Sequence, residues 1–265
     1  MNKLALGTVQ FGLDYGISNK TGKVSLDEVG AILNYAKSQN IDTLDTAQGY
    51  GESEKVLGNI DLSGFKIVTK IIENGILETS LENLKLNKIY GLMLHREDEI
   101  NDKTWVNFEN YKRQKLVEKI GVSVYSPEKL IEIVGKYPID IVQIPLNIFD
   151  QRFLPILPEL KRKNIEIHTR STFLQGLLFM NSCQLKPYFE PIKHILQQLP
   201  NDRLAAALSF VKGVKEIDKI VVGVTTKKEL QEIYSQYNKN IEEIDFSQFR
   251  IDDEKFINPS KWELE

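Results

Sequence analysis

The chain carries one cysteine, Cys183, in 265 residues, so no disulfide can close within it. That scarcity fits a reducing compartment. Cys183 sits in a polar stretch without a neighbouring histidine and reads as a bystander. Histidine is nearly as scarce: three are present, His95, His168 and His194. None stands at a Cys, His or carboxylate spacing that resembles a zinc site, so no metal is expected. No stretch approaches the ~18 apolar residues of a membrane span. The opening "MNKLALGTVQFG" lacks the apolar core of a signal peptide. The formal charge of −3 offers no basic field for nucleic acid or an anionic membrane. Together these absences predict a cytoplasmic protein whose main partner is neither nucleic acid nor a membrane. Oligomeric state is not legible in the chain. There is no Pro/Gly-rich linker and no shift in composition. Residues 1–265 therefore read as one domain, with a polar tail from about Asn238.

What is present is a rhythm. Short β-branched runs alternate with longer amphipathic ones. The strand-like runs are 3–8, 41–46, 65–71, 88–95, 119–124, 139–147, 165–172 and 218–225. Helix-like runs follow at 25–39, 52–58, 77–86, 103–114, 126–137, 153–164, 201–214 and 227–237. Ser25 with Glu28 three residues on reads as a capping box. Ser126 followed by Pro127 reads as a second helix start, and Asn201 or Asp202 as a third. The basic run Lys161–Arg162–Lys163 suits a helix C-terminus. Eight units of about 33 residues each have the size of a βα repeat. They suit a closed (β/α)8 TIM barrel, with a doubly wound open sheet as the competitor.

In a barrel, chemistry collects at the C-terminal ends of the strands. Those ends are Gly7 and Thr8, Asp45, Lys70, His95, Ser123, Gln143 with Asn147, Arg170 with Ser171, and Gly223 with Thr225. Asp45, Lys70 and His95 end three consecutive strands, and Tyr50 begins the segment after the second. Each has a plain structural alternative. Asp45 could cap a helix, Tyr50 could be a rim aromatic, Lys70 a solvated strand-end lysine and His95 a satisfied rim histidine. Their coincidence on adjacent strand ends favours chemistry. His168, inside the seventh strand, and His194, on a surface helix, read as structural. "GYG" at 49–51 begins like a dinucleotide loop, but position 54 is Glu where that motif needs its third glycine. The acidic flank "ESE" would also repel a pyrophosphate.

These residues resemble the aldo-keto reductase superfamily. "LDTAQGYGESEKVLG" looks like its DTAxxYGxSExxLG motif. "IVTKI" and "YGLMLHRED" are similar to its lysine and histidine strands. "IGVSVYSPEKL", "VQIPLNIFDQR", "RSTFLQGLL" and "IVVGVTTKKEL" resemble its later landmarks, in order. The likeness runs from about Leu4 to Ile233 and is nearest the compact bacterial branch. It implies a (β/α)8 barrel that binds an extended nicotinamide dinucleotide without a Rossmann domain. By resemblance, Asp45, Tyr50, Lys70 and His95 would form a catalytic tetrad. Tyr50 would donate a proton with its pKa lowered by Lys70, Asp45 would orient that lysine, and His95 would steady the oxyanion.

The same likeness puts the carboxamide on Ser123 and Gln143, and Arg170 where many members stack an aromatic ring on the nicotinamide. Ser171, Phe173, Gln175 and Gly176 would line the pyrophosphate loop. Gly223, Val224, Thr225, Thr226, Lys227 and Lys228 would hold the adenosine side, with Gly7 and Thr8 completing the cofactor set. Val124 replaces an asparagine that usually grips the carboxamide. Glu229 falls where NADPH-selective members carry an arginine. Family habit implies NADPH, with Lys227 and Lys228 supplying charge and NADH as the alternative. The substrate would be an aldehyde, ketone or sugar-like carbonyl, touched by Tyr15 in the loop 12–22. A cofactor-binding redox sensor of the same fold with little turnover is the second reading. A metal-dependent barrel aldolase or isomerase is the third, and the missing metal spacing counts against it.

Overall fold

A computed structural model describes residues 2–17, 19, 21–72, 75–181 and 185–264. Cys183 lies outside them. Eight parallel strands pair in chain order and close on themselves, β1 against β8, which rules out the open sheet. They are β1 (Leu4–Gly7), β2 (Thr43–Asp45), β3 (Lys66–Ile71), β4 (Ile89–Leu94), β5 (Val117–Ser123), β6 (Ile141–Pro145), β7 (Glu166–Arg170) and β8 (Lys219–Gly223). The helices are α1 (Val9–Gly12), α2 (Leu26–Ser38), α3 (Ser53–Leu57), α4 (Leu77–Leu84), α5 (Asp102–Arg113), α6 (Pro127–Lys136), α7 (Leu157–Arg162), α8 (Lys193–Gln198), α9 (Arg203–Gly213), α10 (Lys227–Tyr237) and α11 (Glu254–Ile257). The fold is a (β/α)8 TIM barrel.

The strands are buried on both faces, as parallel strands under helices must be, so their runs are apolar rather than alternating. Several are shorter than their apolar runs. The run at 139–147 leaves the sheet after Pro145, because Asn147 Oδ1 turns to accept the Phe149 and Asp150 amides. Helix starts follow their caps. Ser25 Oγ accepts from the Glu28 amide and Ser126 Oγ from the Lys129 amide. Asp202, not Asn201, caps α9. Pro155 and Pro158 split the run 153–164 into a 3-10 turn at Leu154–Ile156 and the short α7, since each proline is tolerated only at a first turn.

Two local readings are overturned by distant partners. The Glu28 carboxylate accepts from the Lys227 amide at 2.6 Å, tying α2 to the start of α10. The segment beyond α10 is also not merely polar. Phe249, Ile251, Phe256 and Ile257 are buried, and Arg152 pairs with Glu254. His168 is structural: at the bottom of the barrel its Nε2 meets Glu166 Oε1 at 2.6 Å. Tyr90 donates to the same carboxylate at 2.6 Å and Lys119 pairs with it. His194 is exposed on α8. Among the described residues no helix is long and apolar enough to cross a membrane.

Candidate active site

Sheet register brings the strand ends together. Gly7 pairs with Asp45, Asp45 with Val68, Lys70 with Met93, and Ser123 with Gln143. Lys70 therefore stands two residues beyond Asp45's level on the neighbouring strand, within side-chain reach. Lys70 Nζ donates to Asp45 Oδ1 at 2.7 Å, to the Thr46 carbonyl at 3.0 Å and to Tyr50 Oη at 3.4 Å. Lys70 is 1% exposed and Asp45 2%. A buried ion pair of this kind holds only with its remaining hydrogen bonds made. Asp45 Oδ2 completes the set by accepting from Gln143 Nε2 at 2.7 Å.

Tyr50 reaches this pair because the loop after β2 turns sharply. Gly51 has φ +59, a region that L side chains rarely adopt. Gly49 has a different reason: a Cβ there would stand 3.2 Å from the His95 ring. His95 meets Tyr50 edge-on, ring centroids 5.6 Å apart. The "ESE" flank divides. Glu52 is exposed and pairs with Lys23, whereas Glu54 is buried and accepts from Thr69 Oγ1 at 2.6 Å. Only one of its glutamates therefore stands at the surface.

Burial decides the protonation of the phenol. It pushes the Tyr50 pKa up, and the opposing Lys70 ammonium does not outweigh it. Lys70 does act downward as expected, but burial is the larger effect and the net direction is up, so the phenol keeps its proton at neutral pH. For Lys70 burial works downward, but Asp45 and Tyr50 outweigh it and the net direction is up. His95 is pushed down to about 4, first by burial and then by the Lys70 charge, so it is neutral at pH 7.

Below its ordinary value of 6.5 the unfolded chain protonates this histidine, while the folded chain resists until about 4. Its contribution is intact above pH 6.5 and is lost as pH falls toward 4. His95→Asn is expected to flatten the fall in urea midpoint across that window relative to wild type. Parallel pH profiles for the two proteins would contradict the assignment.

A cleft of about 1340 Å³ opens over the pair. That exceeds the ~300–1,000 Å³ of ordinary small-ligand pockets, leaving room for an extended ligand and a second reactant. Gly7, Thr8, Tyr15, Asp45, Tyr50, His95, Ser123, Gln143, Arg170, Ser171, Phe173, Gln175, Gly176, Gly223, Val224 and Thr225 all line it. Lys70 lies beneath, reached through Tyr50. Thr8 is also structural, donating to the Asp45 carbonyl at 3.0 Å. Thr226, Lys227 and Lys228 are not among the lining residues. Thr226 caps α10, and the two lysines are exposed beyond it.

The walls fit a nicotinamide dinucleotide. The Asp45 carboxylate can only accept, so it fixes the amide of Gln143 with nitrogen toward it. Gln143 Oε1 is thereby left buried without a partner, an acceptor suited to a carboxamide N–H. Ser123 Oγ accepts from Arg170 Nε at 3.3 Å and keeps its own proton to donate. Beyond β7 the backbone is left-handed at Ser171, Leu174, Gln175 and Gly176, an arrangement that clusters at ligand sites. Asn147 holds this loop by donating to the Ser171 carbonyl at 3.1 Å.

Tyr15 bonds across the cleft, its hydroxyl accepting from Gln175 Nε2 at 3.0 Å. Loss of solvent, then the neighbouring Tyr50 and Tyr125 phenols, push its pKa up to about 12. Tyr125 and Glu97 were not singled out from the sequence, and Glu28 only as half of a capping box. Tyr125 stacks on Arg170, Glu97 accepts from the Tyr125 amide, and Glu28 reaches α10. Tyr125 lies two residues past a strand end and was findable there. Glu97 and Glu28 carry no local signal for these contacts.

The Aldo/keto reductase family matches residues 3–252. No match was found among curated proteins. Solved structures share the fold. An aldo-keto reductase from Bacillus halodurans, AKR11C1 in its holo form, superposes with a TM-score of 0.74 at 18% identity, over 93% of this chain and 90% of that one. A protein from Pseudomonas aeruginosa described as an aldo-keto reductase gives 0.70 at 20% identity, over 89% of each chain. A thermostable aldo-keto reductase, Tm1743, solved with the inhibitor epalrestat, gives 0.68 at 18% identity, over 94% of each.

Proposed function

The chain belongs to the aldo/keto reductase family, a family of oxidoreductases, and from that premise we propose that it reduces a small-molecule carbonyl to an alcohol with a reduced nicotinamide dinucleotide. The observation that carries this reading is the buried line Asp45–Lys70–Tyr50 at the floor of the cleft, with links of 2.7 and 3.4 Å. When bound, the cofactor would supply the hydride. Ser123 and Gln143 would hold its carboxamide, and the loop Ser171–Gly176 its pyrophosphate.

Tyr50 would give its proton to the carbonyl oxygen as negative charge grows there. Its raised pKa keeps that proton in place until the reaction needs it. Lys70 would steady the phenolate left behind, and Asp45 and Thr46 hold Lys70 in position. His95, uncharged at neutral pH, would donate an N–H toward the same oxygen, and a donor fixed in advance is most effective. Tyr15, on the opposite lip, would touch the substrate.

At the adenosine end, the charges favour NADH over the NADPH implied by family habit. The amides that open α10 already serve carboxylates: Lys227 N–H donates to Glu28 and Thr225 N–H to Glu229, each at 2.6 Å. A 2′-phosphate there would meet two negative groups, whereas a ribose hydroxyl could donate to them. A fluorescence titration with each reduced cofactor, followed by a carbonyl panel, tests both statements. Wild type is expected to bind NADH at least as tightly as NADPH. Glu28→Gln with Glu229→Gln should move the preference toward NADPH by about tenfold. Absence of binding to either cofactor would remove the proposed function, and an unmoved preference would remove only the role of the two glutamates.

A further inference from the structure

We infer that Arg170 makes the site discriminate between the redox states of the nicotinamide, favouring the reduced, uncharged ring over the oxidised, cationic one. The inference rests on the cofactor reading above. The Arg170 guanidinium is held by three hydrogen bonds. Nε donates to Ser123 Oγ at 3.3 Å, Nη2 to the Val124 carbonyl at 3.0 Å and Nη1 to Ser171 Oγ at 3.5 Å. The Tyr125 ring lies against it, 3.8 Å from its central carbon to the ring centroid. None of these partners is a carboxylate. Lys70, by contrast, has its charge matched by Asp45 at 2.7 Å. Among the described residues no carboxylate pairs with it, so Arg170 contributes an immobilised positive charge to the wall of the cleft.

Its position relative to a bound nicotinamide follows from the same contacts. The carboxamide sites are the Gln143 acceptor and the Ser123 hydroxyl, neighbours in register on β6 and β5. Arg170 donates to that serine. A ring carrying the carboxamide must therefore lie close to the guanidinium. The dihydronicotinamide is neutral and can rest against a planar guanidinium without electrostatic penalty. The oxidised ring bears a positive charge, and like charges in a partly desolvated site repel strongly. An aromatic side chain at this position would act oppositely, since its face attracts a cation. The oxidised product should therefore leave readily. Alcohol oxidation, which must begin from the oxidised form, should be disfavoured by weak binding.

The test compares the dissociation constants of NADH and NAD+, by protein-fluorescence quenching and calorimetry. The two forms share their adenosine and pyrophosphate, so the ratio isolates the ring. Wild type is expected to bind NADH more tightly, by about tenfold or more. Arg170→Tyr should reduce the ratio about tenfold, mainly by tightening NAD+. Arg170→Lys, which keeps the charge, should retain most of the ratio. Equal affinity of wild type for both forms overturns the inference without recourse to any variant. So does an Arg170→Tyr protein that loses affinity for both forms by one common factor. Wild type that binds neither this pair nor NADPH and NADP+ overturns the cofactor reading and this inference with it.

Discussion

Tyr50→Phe is expected to lower kcat/KM for carbonyl reduction by about 10²–10⁴-fold, the range for loss of a positioned general acid. The cofactor dissociation constant should stay near the wild-type value. The substitution removes one oxygen and leaves the ring. That ring packs edge-on to His95, with the Lys70 ammonium 5.0 Å from its centroid. The residues proposed to grip the carboxamide, Ser123 and Gln143, stand on β5 and β6 and do not bond to the phenol. Binding and chemistry should therefore separate. The check is steady-state kinetics on any carbonyl the wild type turns over, beside a cofactor titration. Unchanged turnover would remove Tyr50 as the proton donor even if the cofactor binds.

Lys70→Met should do two things at once. It removes the cation that would steady a Tyr50 phenolate, so turnover should fall at least as far as in Tyr50→Phe. It also leaves the Asp45 carboxylate buried, with its Oδ1 partner gone and only the Gln143 amide remaining. Breaking one side of a buried ion pair typically costs about 3–5 kcal/mol, mostly from the uncompensated charge. Urea unfolding should register a loss of that order. Adding Asp45→Asn should return much of the stability without returning activity. A Lys70→Met protein as stable as wild type would contradict the stabilising role of the ion pair. A double variant with restored turnover would contradict the proposed role of Lys70.

The contrast between Glu28 and Ser25 shows where local reading stops. Both belong to one apparent capping box, and the serine caps as the local pattern requires. The glutamate reaches a backbone amide 199 residues away. Helix starts depend on contacts within a turn, so Ser25, Ser126 and Asp202 are legible from a few residues each. A long side chain at the same place can find a partner brought in by barrel closure, and no spacing records that. Glu54 behaves similarly. In sequence it belongs to an acidic flank beside Tyr50, but it turns inward to Thr69 on β3.

The amino-acid sequence by itself determined the eight βα units, the helix caps and the chemistry-bearing residues at consecutive strand ends. Apolar period, capping and chain length set those over short ranges. Tertiary structure alone decided the rest. It chose the closed barrel over the open sheet through the pairing of β1 with β8. It set the direction of the Tyr50 shift, because burial outweighs the neighbouring ammonium. It matched Lys70 with a carboxylate and left Arg170 without one among its partners. Charge balance and desolvation are sums over everything that packs around a group, and in this barrel most of those neighbours come from distant strands.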